Sequence, residues 1–341
     1  LVKLTPRQVS GKHVKRVLAT SATFDLVDGN TAIGLDVGGT KVAVARVEDG
    51  RVVERLTEPT EKHSSEALTA QMARLALTLT TKKVTAVGAG VPSAVEWSTG
   101  RVMASVNVPF DNWPLREKLS ELVNLPVAVD NDAKVAALAE AHREDGSVVP
   151  NLVMFTIGTG VGGGLVIDGR PYRGATGGAG HLGHEIVRGT PEPPRTATSF
   201  PRPDTVEAQA AGPVLDRLAQ ELAATGNGAL SELATAGKTV KGPDVVAAAQ
   251  SGDAEAIDLL SRFAGRLAPG VANAIHSFDP DEVVIGGGVS AAGDLLLLPL
   301  RAHVEPLILP GIGTKTTIRL ARHGGDAGVV GAALLALSDA T

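Results

Sequence analysis

Two glycine-rich turns, each set between short apolar runs, constrain this chain more than any other feature. In the first, Ala32-Ile33-Gly34-Leu35-Asp36-Val37 reads as a buried strand, Gly38-Gly39-Thr40-Lys41 as a turn and Val42-Ala43-Val44-Ala45 as a returning strand. In the second, Leu152 to Ile157 is the strand, Gly158-Thr159-Gly160 the turn and Gly163 to Ile167 the return. Glycine at such a turn lets backbone N–H groups face an anion with no Cβ in the way. Two anion turns facing each other make a nucleotide clamp, so the repeat predicts two similar α/β halves. Neither turn is a Walker loop, because no G-x-x-x-x-G-K-S/T pattern occurs. Neither is a dinucleotide fingerprint, which must open a helix.

The segments between the turns follow the same alternation. Leu68, Met72, Leu75, Ala76 and Leu79 recur at helical spacing between Ser64 and Thr80. Val84 to Val91 is a strand, Pro114 to Val123 a short helix with Pro in its first turn, and Pro126 to Val129 a strand. Asn131-Asp132 then opens an Ala-rich helix running to about Glu144. Beyond the second turn, five prolines between Pro191 and Pro203 mark an irregular stretch. Helices follow from Thr205, and a long one over 253–278 is expected to break at Pro269-Gly270. A strand at Glu282 to Ile285 leads to Gly286-Gly287-Gly288, and a last apolar helix spans Gly325 to Leu337. Strands alternating with helices place the chain in the α/β class.

Composition removes several functions. With no Cys there is no disulfide scaffold, thiol nucleophile or Cys-ligated metal. The 32 basic and 37 acidic side chains give a net charge of −5, and aromatics are limited to six Phe, two Trp and one Tyr. That offers neither a basic field nor a stacking platform for nucleic acid. No apolar run approaches a membrane span and the N-terminus lacks a signal-peptide core, so a cytoplasmic enzyme is expected. Residues 1–30 carry Lys3, Arg7, Lys12, Lys15 and Arg16 before the first acid, Asp25, and have no strand pattern. They read as an unassigned extension, too short for a complete DNA-reading helix-turn-helix module.

Chemistry concentrates at a few positions. Asp36 sits where oxygen ligands would hold a hydrated Mg²⁺, with Thr40 and Lys41 as further donors at the turn. Asp130-Asn131-Asp132 ends a strand and begins a helix. Asp132 suits an N-cap, and beside a phosphate clamp it also suits a general base for a hydroxyl nucleophile. His181 and His184 flank Gly183 without the further ligands a metal site needs. They read better as a hydroxyl-binding pair, with Asn107, Asn131 and Glu207 as polyol acceptors.

Leu35-Asp36-Val37-Gly38-Gly39-Thr40-Lys41, Val129-Asp130-Asn131-Asp132-Ala133, Thr156 to Gly164, Gly178-Ala179-Gly180-His181-Leu182-Gly183-His184 and Val283 to Val289 occur in that order. Over residues 31–338 the chain resembles the ROK family of sugar kinases and sugar-responsive repressors. The resemblance implies a two-lobed actin/hexokinase-like ATPase fold with sugar and ATP meeting in the interlobe cleft. It implies a small lobe of residues 31–131 with about 323–341, and a large lobe of 132–322. By motif, Asp132 would be the catalytic base, and Asn107, Asn131, His184 and Glu207 would contact the sugar. Gly38, Gly39, Thr40, Lys41, Thr159, Gly160 and Gly162 would hold phosphates, with Mg²⁺ near Asp36 and Asp132, and Gly286, Gly287 and Gly288 would lie by the nucleoside. A homodimer is expected.

Three departures bear on substrate and metal. The Cys-rich zinc segment common in the family is replaced by residues 194–207, so no structural zinc is expected and the prolines and packing should hold that loop. Ser93 stands where Gly is common and narrows the approach to the sugar. His181 stands where glucokinase-like members carry Glu, and N-acetylmannosamine kinases of the family often carry His there. The expectation is therefore ATP-dependent phosphorylation of a hexose or N-acetylhexosamine at the 6-hydroxyl, leaning to N-acetylmannosamine, with glucose as the alternative and a non-catalytic sugar-binding regulator as the rival of another class.

Overall fold

The structure is a computed structural model that describes residues 30–105, 107–188 and 201–339. The expectations for residues 1–29, and for Pro191, Pro193 and Pro194, lie outside the described residues. The first half contains β1 (Thr31–Val37), β2 (Lys41–Glu48), β3 (Arg51–Pro59), α1 (Ser65–Leu79), β4 (Val84–Val91) and β5 (Ser93–Glu96). It continues through β6 (Arg101–Ser105), β7 (Asp111–Trp113), α2 (Leu115–Val123), β8 (Val127–Asn131) and α3 (Asp132–Ala141). The second half opens with β9 (Leu152–Ile157), β10 (Val161–Ile167), β11 (Arg170–Pro171), α4 (Val206–Ala210), α5 (Gly212–Thr225) and α6 (Ala229–Thr235). It ends with α7 (Gly242–Gln250), α8 (Ala254–Phe278), β12 (Glu282–Gly286), α9 (Asp294–Val304), β13 (Thr317–Leu320) and α10 (Ala327–Asp339).

The two halves repeat one sheet plan. The first sheet runs β3-β2-β1-β4-β8 and the second β11-β10-β9-β12-β13. In each, a central strand pairs antiparallel with its own return and parallel with the next strand, as β1 does with β2 and β4 and β9 with β10 and β12. Strands β5, β6 and β7 form a separate small sheet, a flap. One core lies between the first sheet and α1 and α2, and a second between the other sheet and helices α4 to α9. A third, built on α3 and α10, fills the space between the sheets.

Missing side chains shape that middle layer. α10 crosses the first sheet at Gly34 and Gly88, where a Cβ would overlap the carbonyls of Val329 and Ala332. α3 lies on β10 in the same way: at Gly162 a Cβ would come within 2.9 Å of the Ala133 Cβ. The strand β10 therefore begins at Val161, two residues before the sequence reading placed it.

Other boundaries differ for physical reasons. β3 was not anticipated; it is a largely exposed edge strand, so its charged residues hide the apolar alternation. Pro114 is the N-cap residue of α2 and lies outside its first turn. α3 stops at Ala141, short of Glu144, because His142 has turned to extended backbone. α10 starts at Ala327, two residues late, after a single 3₁₀ turn at Gly324–Asp326. The long helix α8 does not break at Pro269. A proline in a helix interior costs roughly 3 kcal/mol, and here Leu267, Ala268, Gly270 and Val271, all buried, hold both flanking turns in the core. No helix among the described residues is long and apolar enough to cross a membrane.

Candidate active site

The C-terminal ends of β1, β8, β9 and β12 carry the site. Asn131, not Asp132, is the N-cap of α3: its Oδ1 accepts from Ala133 N at 3.1 Å and Lys134 N at 3.4 Å. Its Nδ2 donates to Val91 O at 3.4 Å and Ser93 O at 3.3 Å. The amide expected to contact sugar is thus bonded within the chain, where it fixes the β8–α3 corner to the strand bearing Ser93. Relieved of capping, Asp132 is the first helical residue and accepts from Ala133 N at 2.8 Å through Oδ1.

Asp132 titrates far from an ordinary carboxylate. Burial, and next the charge of Asp36, push it up to about 7. Asp36 is itself raised by burial, against the opposing pull of Lys41 and Arg55. The Asp36 carboxyl packs at the start of α10, where only a glycine, Gly328, leaves it room. Two buried carboxylates, one close enough for its charge to raise the other, are a donor set that suits a hard divalent cation. As a base, Asp132 would have to be deprotonated to act, so the raised value would remove it on the acid side. The expected profile of kcat/KM climbs with pH to a plateau, its midpoint near 7 in the free enzyme. A flat profile between pH 5.5 and 8.5 would remove Asp132 from the base role.

Both anion turns are braced. In the first, Gly38 N donates to Lys41 O at 2.9 Å, and Thr60 Oγ1 donates to Gly38 O at 2.6 Å. Thr40 and Lys41 are exposed at its tip. Asn107, on the loop between β6 and β7, lies against this turn: a Cβ on Gly39 would stand 3.0 Å from the Asn107 Cβ. In the second turn, Gly158 N donates to Gly160 O at 2.9 Å and Gly158 O accepts from Gly212 N at 2.8 Å, with Thr159 exposed. Glu207 differs from expectation. Its Oε2 accepts from Val161 N at 2.8 Å and fills the space beside Gly160, so it buttresses this turn. The third glycine cluster stands next to the second turn, because Gly286 pairs with Thr156. Gly287, at φ +82°, rests on the Ile157 backbone, a place no side chain could take.

His181 and His184 are exposed, with ring centroids 6.3 Å apart and planes tilted by 41°. Desolvation, then the charges of Lys134 and His184, hold His181 below the usual histidine range, so its ring is neutral at pH 7. Ser93 is buried, and its Oγ has no hydrogen-bond partner among the described residues. A buried hydroxyl left open costs free energy unless a ligand completes it. The described ends of the segment that replaces the family's zinc motif are joined by backbone pairing. Val187 N donates to Asp204 O at 2.8 Å and Val206 N to Glu185 O at 3.0 Å. No group of three or more His, Asp or Glu that could hold a metal occurs among the described residues.

Sequence reasoning missed Thr60, Lys134 and Arg173, and gave Asp130 no partner. Arg173 Nε donates to Asp130 Oδ2 at 2.8 Å across 43 positions, a pairing that no local pattern signals.

The pattern of facing turns, acidic corner and histidine loop has a match. Residues 32–339 match the ROK family, nearly the whole described chain. The chain belongs to the ROK family. The ROK chain is 36% identical over 310 residues to a glucokinase of Halalkalibacterium halodurans, covering 88% of this chain and 92% of that one. It is 34% identical over 316 residues to an N-acetylmannosamine kinase of Citrobacter koseri, covering 91% and 99%. Among solved structures, it is similar to a ROK glucokinase from Streptomyces griseus in complex with glucose and AMPPNP. That similarity has a TM-score of 0.76 at 30% identity and covers 91% of this chain and 100% of the other. The two-lobed α/β fold expected from the motifs is thereby that of the family.

Proposed function

We infer that this ROK protein transfers the γ-phosphoryl group of ATP to a hydroxyl of glucose, with the 6-hydroxyl as acceptor. The observation that carries the reading is Asp132: a carboxylate with its proton affinity set near neutrality, at a helix N-terminus between two braced anion turns. Asp132 takes the hydroxyl proton as the sugar oxygen bonds to phosphorus and the bond from phosphorus to ADP breaks. The N–H groups at Gly38–Thr40 and Gly158–Gly160 hold the phosphates. Asp36 and Asp132 would hold Mg²⁺, which when bound neutralises charge on the phosphate oxygens. Ser93 Oγ supplies a bond to the sugar that the chain itself leaves open. Asn107 bridges sugar and first turn, and His181 and His184 face the ring substituents. Gly286, Gly287 and Gly288 flank the nucleoside. ATP as donor belongs with a cytoplasmic setting, and the family resemblance with a homodimer.

The choice of sugar departs from the expectation built on His181. The glucokinase relative is the more similar of the two kinases, and the similar solved structure holds glucose, so glucose is favoured over N-acetylmannosamine. A neutral imidazole carries both a donor and an acceptor and can serve either sugar. A coupled ADP-release assay over glucose, mannose, N-acetylglucosamine and N-acetylmannosamine decides. Glucose should lead N-acetylmannosamine in kcat/KM by about 10-fold or more, a difference of ~1.4 kcal/mol. The reverse order would return the reading to the amino sugar, and no sugar-dependent ADP release would favour a binding regulator.

A further inference from the structure

Arg173 lies in the second half of the chain, just after β11, at the base of the loop that ends in His181. Its partners all lie elsewhere. Nε donates to Asp130 of β8 at 2.8 Å, and Nη2 to Asp339 at the end of α10 at 3.3 Å. The guanidinium stands 5.6 Å from the ring centroid of Trp97, on the turn between β5 and β6 of the flap. Its side chain is 17% exposed and that of Asp130 is 1% exposed, so this is a buried pair. Nearby, Lys134 Nζ of α3 donates to Gly177 O in the same loop. Gly177, at φ +90°, is pressed against the Val95 carbonyl of the flap. One arginine therefore touches the β8–α3 corner, the C-terminal helix, the flap and the histidine loop.

We propose that Arg173 is a positioning residue for the sugar half of the site: it holds the histidine loop in register with the Asn131–Asp132 corner and with the flap strand bearing Ser93. The inference rests on the sugar-kinase reading for its consequence and on the contacts for its geometry. The guanidinium suits the task because it is planar and always charged. It can bond two carboxylates while lying over an aromatic ring, which a lysine ammonium cannot do. The phosphate turns make none of these contacts, so ATP binding is independent of it.

A lone Arg173 change would strand the buried Asp130 charge and could unfold the protein. The test therefore uses the charge-balanced double variant Asp130→Asn/Arg173→Gln, with Arg173→Lys beside it. The expected result is a rise of about 10-fold in the glucose KM, with the ATP KM unchanged. Amide hydrogen exchange should speed up in residues 174–181 and 94–98 but not in α8. Arg173→Lys, which retains a charge for Asp130, should recover part of the glucose KM. The proposal is overturned by an unchanged glucose KM, by equal losses toward glucose and ATP, or by exchange that stays as in wild type or rises throughout. Should wild-type protein show no sugar-dependent ADP release, the kinase reading fails by itself, and the exchange comparison still decides the role of Arg173.

Discussion

Asp132→Asn is expected to reduce turnover by about 10²–10⁴-fold, the usual worth of a general base, while sugar still binds. The substitution is close to isosteric, and the helix does not depend on it, because the capping oxygen belongs to Asn131. The bond from Ala133 N to Oδ1 survives, since an amide oxygen accepts as a carboxylate oxygen does. What disappears is the ability to take a proton. Calorimetric titration with glucose and a turnover assay on the same preparation check both halves. Turnover within a factor of a few of wild type would show that another group takes the proton.

Gly331→Ala is expected to destabilise the fold by about 3 kcal/mol, the upper end of ordinary overpacking. Gly331 marks the crossing of α10 over α3, where an added Cβ would overlap the carbonyl of Val135. Alanine is the better helix former by ~1 kcal/mol, so propensity alone predicts stabilisation, and the two arguments differ in sign. Packing should win, because the obstacle is backbone and cannot rotate away. The helices must separate, and they carry the site: Asp132 begins α3, and Asp36 packs at the start of α10. Activity should therefore fall along with the melting temperature. Gly325→Ala is the control, with open space at its Cβ position and an expected change within ~0.5 kcal/mol. Equal melting temperatures for the two variants would show that the crossing can relax.

Features written in consecutive residues were legible without a structure. A Gly-rich turn between two apolar runs is a local object, so both anion turns, the acidic corner at residues 130–132 and the two-lobed plan could be read directly. The third glycine cluster was legible for the same reason. Partnership between distant residues was not. Glu207 belongs to the second turn because α4 docks there. Asn131 is held in its cap geometry because Val91 and Ser93, 40 and 38 positions away, offer carbonyls to its Nδ2. The intact α8 depends on the core around Pro269, which outweighs a local preference to break. The sequence by itself determined which backbone segments can approach an anion and which carboxylate could serve as base, since both depend on residue type and immediate neighbours. Only the tertiary structure decided how strongly that carboxylate holds its proton and which side chains brace the corner that carries it, because burial, a second carboxylate and the Arg173–Asp130 pair come from segments far apart in the chain.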